Sequence, residues 1–239
     1  MENRGQLPDK KENAFRDISY YAHTRGVNIY CKNDRISFVF TRITKYSASK
    51  DLTNFEKLSN QKNHNLPDST KTEVSRMEMQ FVNANPDMHI LSAEKQPYYE
   101  KYYLAYCPEG ITSNAFKQLT YKNLWPDIDL VLRSSQSNGL EYSFIVNPGG
   151  NINNIQIQWN GADTMNMLEN NLGIRYSNGL GHIQESGLKS YLEGSKQNIS
   201  CKYIISEREN IGFHVDEYNG KRALVIDPTL IWGDLFWWE

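Results

Sequence analysis

Asp127 and Asp129 stand two residues apart, just after Trp125. Side chains alternate along a strand, so that spacing would turn both carboxylates to one face. Such a pair could hold a calcium ion or the hydroxyls of a sugar, although calcium takes about six to eight oxygens and far fewer are on offer here. The competing role is structural, because aspartate readily bonds the N–H groups of nearby turns. Glu141, Trp125 and Tyr142 complete the candidate binding set. Tyr98, Tyr99, Tyr102, Tyr103 and Trp159 widen it: rings suit the apolar faces of sugars and phenol hydroxyls their polar edges, yet the same rings fill the cores of β proteins.

His214 and Asp216 share the same spacing, with Glu217 adjacent, and would make half of a transition-metal site. The missing ligands would have to come from His23 or His182; otherwise the pair is an exposed strand face. His182 and Glu185 lie three apart, which helps on a helix, and this stretch has no helical period. Nucleophilic catalysis finds no Gly-x-Ser-x-Gly elbow and no cysteine within a histidine signature. Asn147-Pro148-Gly149-Gly150 reads as a turn between strands rather than a phosphate cradle opening a helix. Cys31, Cys107 and Cys201 are more than 70 residues apart, which gives neither a metal pair nor a disulfide framework. The expectation is a protein that is not an enzyme and has no cofactor, with calcium the one ion its acids leave open.

The elements that must position these residues read as strands. Leu140, Tyr142, Phe144 and Val146 alternate with polar residues, as do Ile155, Ile157 and Trp159, Ile36, Phe38 and Phe40, and Ile199, Cys201, Tyr203 and Ile205; a period of two marks half-buried strands. Asn33-Asp34, Asn138-Gly139 and Asn219-Gly220 predict hairpins joining 27–31 to 36–40, 128–133 to 140–146, and 212–217 to 222–227. The fold expected is all-β, an antiparallel sandwich with little helix. Residues 1–232 form one β-rich domain, with lobes of about 1–105 and 106–232 and a polar loop over 45–73, and 233–239 form a tail carrying Phe236, Trp237 and Trp238. The net charge is −2 and the longest apolar run is Tyr102 to Cys107. Those features point away from nucleic acid and from a membrane-spanning helix.

Six landmarks occur in order: Glu2-Asn3-Arg4-Gly5-Gln6, Phe81-Val82-Asn83-Ala84-Asn85-Pro86, Trp125-Pro126-Asp127-Ile128-Asp129-Leu130, Leu140-Glu141-Tyr142-Ser143-Phe144, Val146-Asn147-Pro148-Gly149-Gly150 and Leu224-Val225-Ile226-Asp227-Pro228. Together they resemble the β-rich domain of unknown function at the N-terminal end of large exported bacterial surface proteins, where SBBP β-propeller repeats or gliding-motility-associated sorting domains follow. Two details depart from that pattern, since Pro126 runs directly into Asp127 and Asn83 replaces a usual glycine. The resemblance implies a secreted or cell-surface location, although the first residues carry no signal peptide. It also implies following repeat or sorting domains as partners, and a chain ending at Glu239 as a fragment of something longer. It implies no catalytic activity. The expected function is a non-catalytic structural or adhesive module. The alternatives are a carbohydrate-binding module or remnant glycan-active enzyme that takes a glycan or cell-surface component, and a cap for a following β-repeat array.

Overall fold

The computed structural model describes residues 1–7, 17–24, 26–46, 69–135, 139–194 and 197–234. Eight strands come first: β1 (Ile18–His23), β2 (Val27–Lys32), β3 (Arg35–Tyr46), β4 (Ser69–Phe81), β5 (His89–Leu104), β6 (Cys107–Trp125), β7 (Ile128–Ser135) and β8 (Gly139–Val146). Seven more follow: β9 (Ile157–Asn160), β10 (Thr164–Met167), β11 (Ile174–Ser177), β12 (Gly181–Leu192), β13 (Cys201–Ile205), β14 (Ile211–Val215) and β15 (Leu224–Asp234). The described helix is limited to two short 3₁₀ turns, and no described helix is long and apolar enough to cross a membrane.

All the pairings are antiparallel, and they make two sheets, β1-β2-β3-β4-β9-β14-β13 and β10-β11-β12-β15-β8-β7-β6-β5. The expected sandwich is therefore present. Period-two alternation builds its interior: Ile36, Phe38 and Phe40 of β3, Met77, Met79 and Phe81 of β4, Ile128, Leu130 and Leu132 of β7, and Tyr142, Phe144 and Val146 of β8 are all buried. Phe144 ties the layers together. Its ring centroid lies 6.0 Å from Trp125 and 5.6 Å from Tyr142 in its own sheet, and 5.7 Å from Phe213 of the facing sheet.

Four expectations change. The predicted hairpin of 212–217 with 222–227 does not form, because β14 pairs with β13 and β9 while β15 pairs with β12 and β8. Both segments bury apolar faces, and the Tyr218 hydroxyl donates to the Arg222 carbonyl at 2.8 Å. The Asn219-Gly220 turn thus crosses from one sheet to the other. Residues 45–46 and 69–73, expected within a polar loop over 45–73, are strand instead, since β3 and β4 stay in register out to Tyr46 and Ser69. Threonines suit strands, and Arg42 sits directly opposite Glu73, 3.7 Å away. Residues 47–68 lie outside the described residues. Gly233 and Asp234, assigned to the tail, belong to β15 and pair with His182 and Gly181; 235–239 lie outside the described residues, as does Asn138. Residues 105 and 106 fall in the β5–β6 turn, and both sheets draw strands from either side of it.

The apolar centre sets the energetics. Phe144→Ala is expected to lower unfolding free energy by roughly 3–5 kcal/mol, whereas Ile43→Ala, at a side chain 62% exposed, should stay within about 0.5 kcal/mol. Urea unfolding of both variants checks this, and a Phe144→Ala loss no larger than that of Ile43→Ala would contradict the assigned core.

Candidate functional site

Trp125 pairs with Ile128, so Pro126 and Asp127 are the two corners of a tight turn. Pro126 fixes the first corner, and Asp127 takes the second with φ 59°, a left-handed conformation that aspartate tolerates better than most residues. Asp127 is therefore exposed and outside β7, and the expected one-face pairing with Asp129 is not formed. Its N–H donates to Asn123 Oδ1 at 3.0 Å, and its carbonyl accepts from the Asn147 N–H at 2.8 Å.

Asp129 is buried. Its carboxylate accepts from Lys122 Nζ at 2.6 Å, the Asn123 N–H at 2.7 Å and Asn147 Nδ2 at 3.3 Å. Those donors occupy the lone pairs a cation would need. The Asn147-Pro148-Gly149-Gly150 turn packs on the same corner, where a Cβ at Gly150 would come within 2.8 Å of the Asp127 carbonyl oxygen. Glycine is required there by close approach.

The rest of the expected binding set disperses. Trp125 is buried and its Nε1 donates to the Val82 carbonyl at 2.9 Å; Tyr142 is buried in the core. Glu141 lies on the opposite face of β8, paired in register with Arg133. His214 Nε2 and Asp216 Oδ1 are 3.0 Å apart on an exposed face. The Ser200 hydroxyl first, then His214, hold the Asp216 carboxyl below its usual range. Among the described residues no group of three His, Cys, Asp or Glu side chains could hold a metal.

What gathers instead is tyrosine. Among the described strands, residues 107–117 of β6 pair with β5 and not with β7, so the distal part of this hairpin is a two-stranded ribbon beyond β7, with the Glu2 N–H donating to the Asn114 carbonyl at 3.0 Å. It exposes Tyr98 (58%), Tyr99 (59%), Tyr103 (67%) and Tyr106 (67%). On one face Tyr98 donates to Glu100 Oε1 at 2.6 Å, and Tyr102 donates to Glu100 and bonds the Tyr21 hydroxyl. These phenols, Tyr102 first, hold the Glu100 carboxyl below the usual range. On the other face Lys101 Nζ lies 5.2 Å from the Tyr103 ring centroid, within reach of a cation–π attraction. A Cβ at Gly110 would meet Lys101 Cε at 2.9 Å and Tyr103 Cε1 at 3.1 Å, so this glycine leaves room for the stack.

The N-terminal segment braces the ribbon: Glu2 Oε1 accepts from Asn114 Nδ2 at 2.6 Å, and the Tyr106 hydroxyl donates to the Gly5 carbonyl at 2.6 Å. Pro97 and the register shift between Lys95 and Tyr99 interrupt the outer edge of β5, which discourages further strand pairing there. Sequence reasoning had Tyr98, Tyr99, Tyr102 and Tyr103 in its ring set, but not Tyr106, and had no means of separating them from buried Trp125. A cavity of about 130 Å³ lies between the sheets near Tyr21, Ile29, Leu132 and Trp232. Burial pushes the nearby Cys31 thiol up to about 11, which leaves it protonated and unreactive.

Glu185 was passed over because its spacing from His182 was weighed for a helix. On β12, Gly181, Ile183 and Glu185 alternate inward, so an acid in an apolar register was the signal available. It is fully buried, and burial pushes its carboxyl up to about 7 while the flanking phenols of Tyr142 and Tyr203 pull the other way.

The family model described as "Domain of unknown function (DUF7948)" matches residues 1–229. No curated protein and no solved structure matches the chain.

The corner chemistry separates the two aspartates. Asp129→Ala removes a buried acceptor that takes hydrogen bonds from Lys122, Asn123 and Asn147 and is expected to cost about 2–3 kcal/mol; Asp127→Gly should be near neutral and Asp127→Ala about 1 kcal/mol worse because of its backbone conformation. Thermal melts with and without millimolar calcium check both points. A calcium-dependent rise in wild type that is lost in Asp129→Ala would instead make the corner an ion site.

Proposed function

The chain belongs to the DUF7948 family, and from that premise we propose that it is a non-catalytic structural or adhesive module of an exported bacterial cell-surface protein, with the tyrosine-bearing β5–β6 ribbon as its contact surface. The carrying observation is the concentration of exposed rings on that one ribbon, while the acid and histidine pairs are engaged in local bonds elsewhere. Large exposed rings gathered on one element suit an interaction surface. Tyrosine suits such a surface because it presents a rigid amphipathic ring with few rotatable bonds.

The ordered motif set supports the location, through its resemblance to the first domain of large exported surface proteins. On this reading the partners within the parent chain are SBBP-type repeats or gliding-motility-associated sorting domains. The braced sandwich serves as the scaffold that holds the ribbon out.

Glycan recognition by the same ribbon is the second reading. It is favoured by Lys101 stacked near the Tyr103 ring on one face of the ribbon and Tyr98 bonded to Glu100 on the other, rings and hydrogen-bonding groups being what a sugar needs.

Beads coated with the protein, tested on polysaccharide and protein-coated surfaces alongside a glycan array, examine both. A Tyr98→Ser, Tyr99→Ser, Tyr103→Ser variant is expected to keep the wild-type melting temperature and to lose about tenfold or more in adhesion, since one ring anchor is worth over about 1 kcal/mol. Adhesion that survives the triple substitution would sink the ribbon as the contact surface. Saturable binding of a defined glycan, lost in the variant, would select the second reading.

A further inference from the structure

Glu185 of β12 brings a carboxyl into the space between the sheets, where the phenols of Tyr142 (β8), Tyr176 (β11) and Tyr203 (β13) gather around it. The first three belong to one sheet and Tyr203 to the other. All four side chains are buried, and neither the carboxyl oxygens nor the three phenol oxygens make a hydrogen bond of ordinary geometry. The enclosure is otherwise apolar. Ile174 and Leu230 sit opposite Glu185 on β11 and β15. Trp159 stacks on Tyr176 at 4.4 Å, and Phe213 lies 5.2 Å from Tyr203.

The titratable groups facing the carboxyl from the packed elements are those phenols, with the Cys201 thiol beside Tyr203. Charged and imidazole neighbours in sequence alternate to the other faces: His182 on β12, Arg175 on β11, Glu141 on β8 and Lys202 on β13. An unpaired carboxylate in such a place is far more costly than an unpaired neutral acid. Tyr203 comes from β13, an edge strand whose ladder partner is β14. Prying that edge away is the short route by which water can reach an ionised Glu185.

We propose that Glu185 is a proton-operated latch between the two sheets: protonated, it lets β13–β14 close over the phenol cluster; ionised, it loosens that edge. Its titration lies in the range from weakly acidic to neutral, because burial raises the carboxyl from 4.5 to about 7. The native state binds the proton more tightly than the unfolded chain does. The stabilisation is therefore complete below the unfolded value and is lost as pH rises through about 7.

Hydrogen exchange of β13 and β14 peptides and melting temperatures, measured on the full chain at about pH 6 and about pH 8, test the latch against the ordinary carboxyl value near 4.3. Wild type is expected to melt lower at the higher pH and to exchange this edge about tenfold faster after correction for intrinsic rates, one pH unit being a tenfold change in protonation. Glu185→Gln should lack the difference on both counts. The same pH dependence in Glu185→Gln would overturn the proposal. Should that variant fail to fold, infrared spectra of the wild type decide: a protonated-carboxyl band present at about pH 6, where ordinary carboxyls are ionised, and gone by about pH 8 supports the latch, and its absence at the lower pH refutes it.

Discussion

A buried carboxylate at the β6–β7 corner carries much of the architecture. Asp129 takes a side-chain ammonium and a backbone N–H from the end of β6 and a side-chain amide from the turn after β8. Hydrogen-bonded ladders fix how strands lie side by side, but they leave open how chains enter and leave the sheet at its ends. A desolvated anion with several donors is directional and costly to leave unmatched. It therefore specifies one arrangement of the three segments that reach it. Phe144 can then meet Phe213 across the layers, since both rings hang from strands whose ends are already placed.

The other landmark segments act in the same way. Trp125 Nε1 bonds the Val82 carbonyl, and the Asn85 N–H bonds the Leu124 carbonyl, so the segment after β4 is pinned to the end of β6 and the two sheets are tied at that end. Ser143 donates to Asp227 at 2.8 Å, joining β8 to β15. Gln6, buried, donates to the Glu2 carbonyl and the Tyr21 hydroxyl. Each landmark thus supplies a polar group that crosses between segments distant in sequence, and its aspartate, asparagine and glycine residues set local geometry.

Alternation made the layers legible, since β3, β7 and β8 follow directly from their residue pattern. What pattern could not give was which sheet a strand joins. Phe213 and Ile226 alternate in the same manner, and only the three-dimensional sum of buried faces places them in opposite layers. The Asp127 and Asp129 reading failed for a related reason: a spacing of two is a strand signal only if the strand includes both residues, and the proline between Trp125 and Asp127 moves one of them into the turn. The ribbon was half legible. Its tyrosines are plain in the sequence, but their exposure depends on β7 ending where β6 continues, which no local pattern records.

The chain has 15 tyrosines and sets phenols against carboxyls in two environments with opposite results. At Glu100 the phenols of Tyr102 and Tyr98 donate to a carboxylate that water still reaches, and donation prevails, holding the acid below its usual range. At Glu185 phenols again stand beside the acid, but burial is complete and outweighs what they give. Hydrogen-bond donors favour the ionised form by a bounded amount, whereas the loss of hydration grows with every ångström of apolar cover. Surface phenols can therefore tune an anion on the ribbon, while buried phenols stand beside an acid whose neutral form burial favours. One residue pairing thus shapes the polar edge of the outer surface and sets a proton-dependent limit on how tightly the two sheets close.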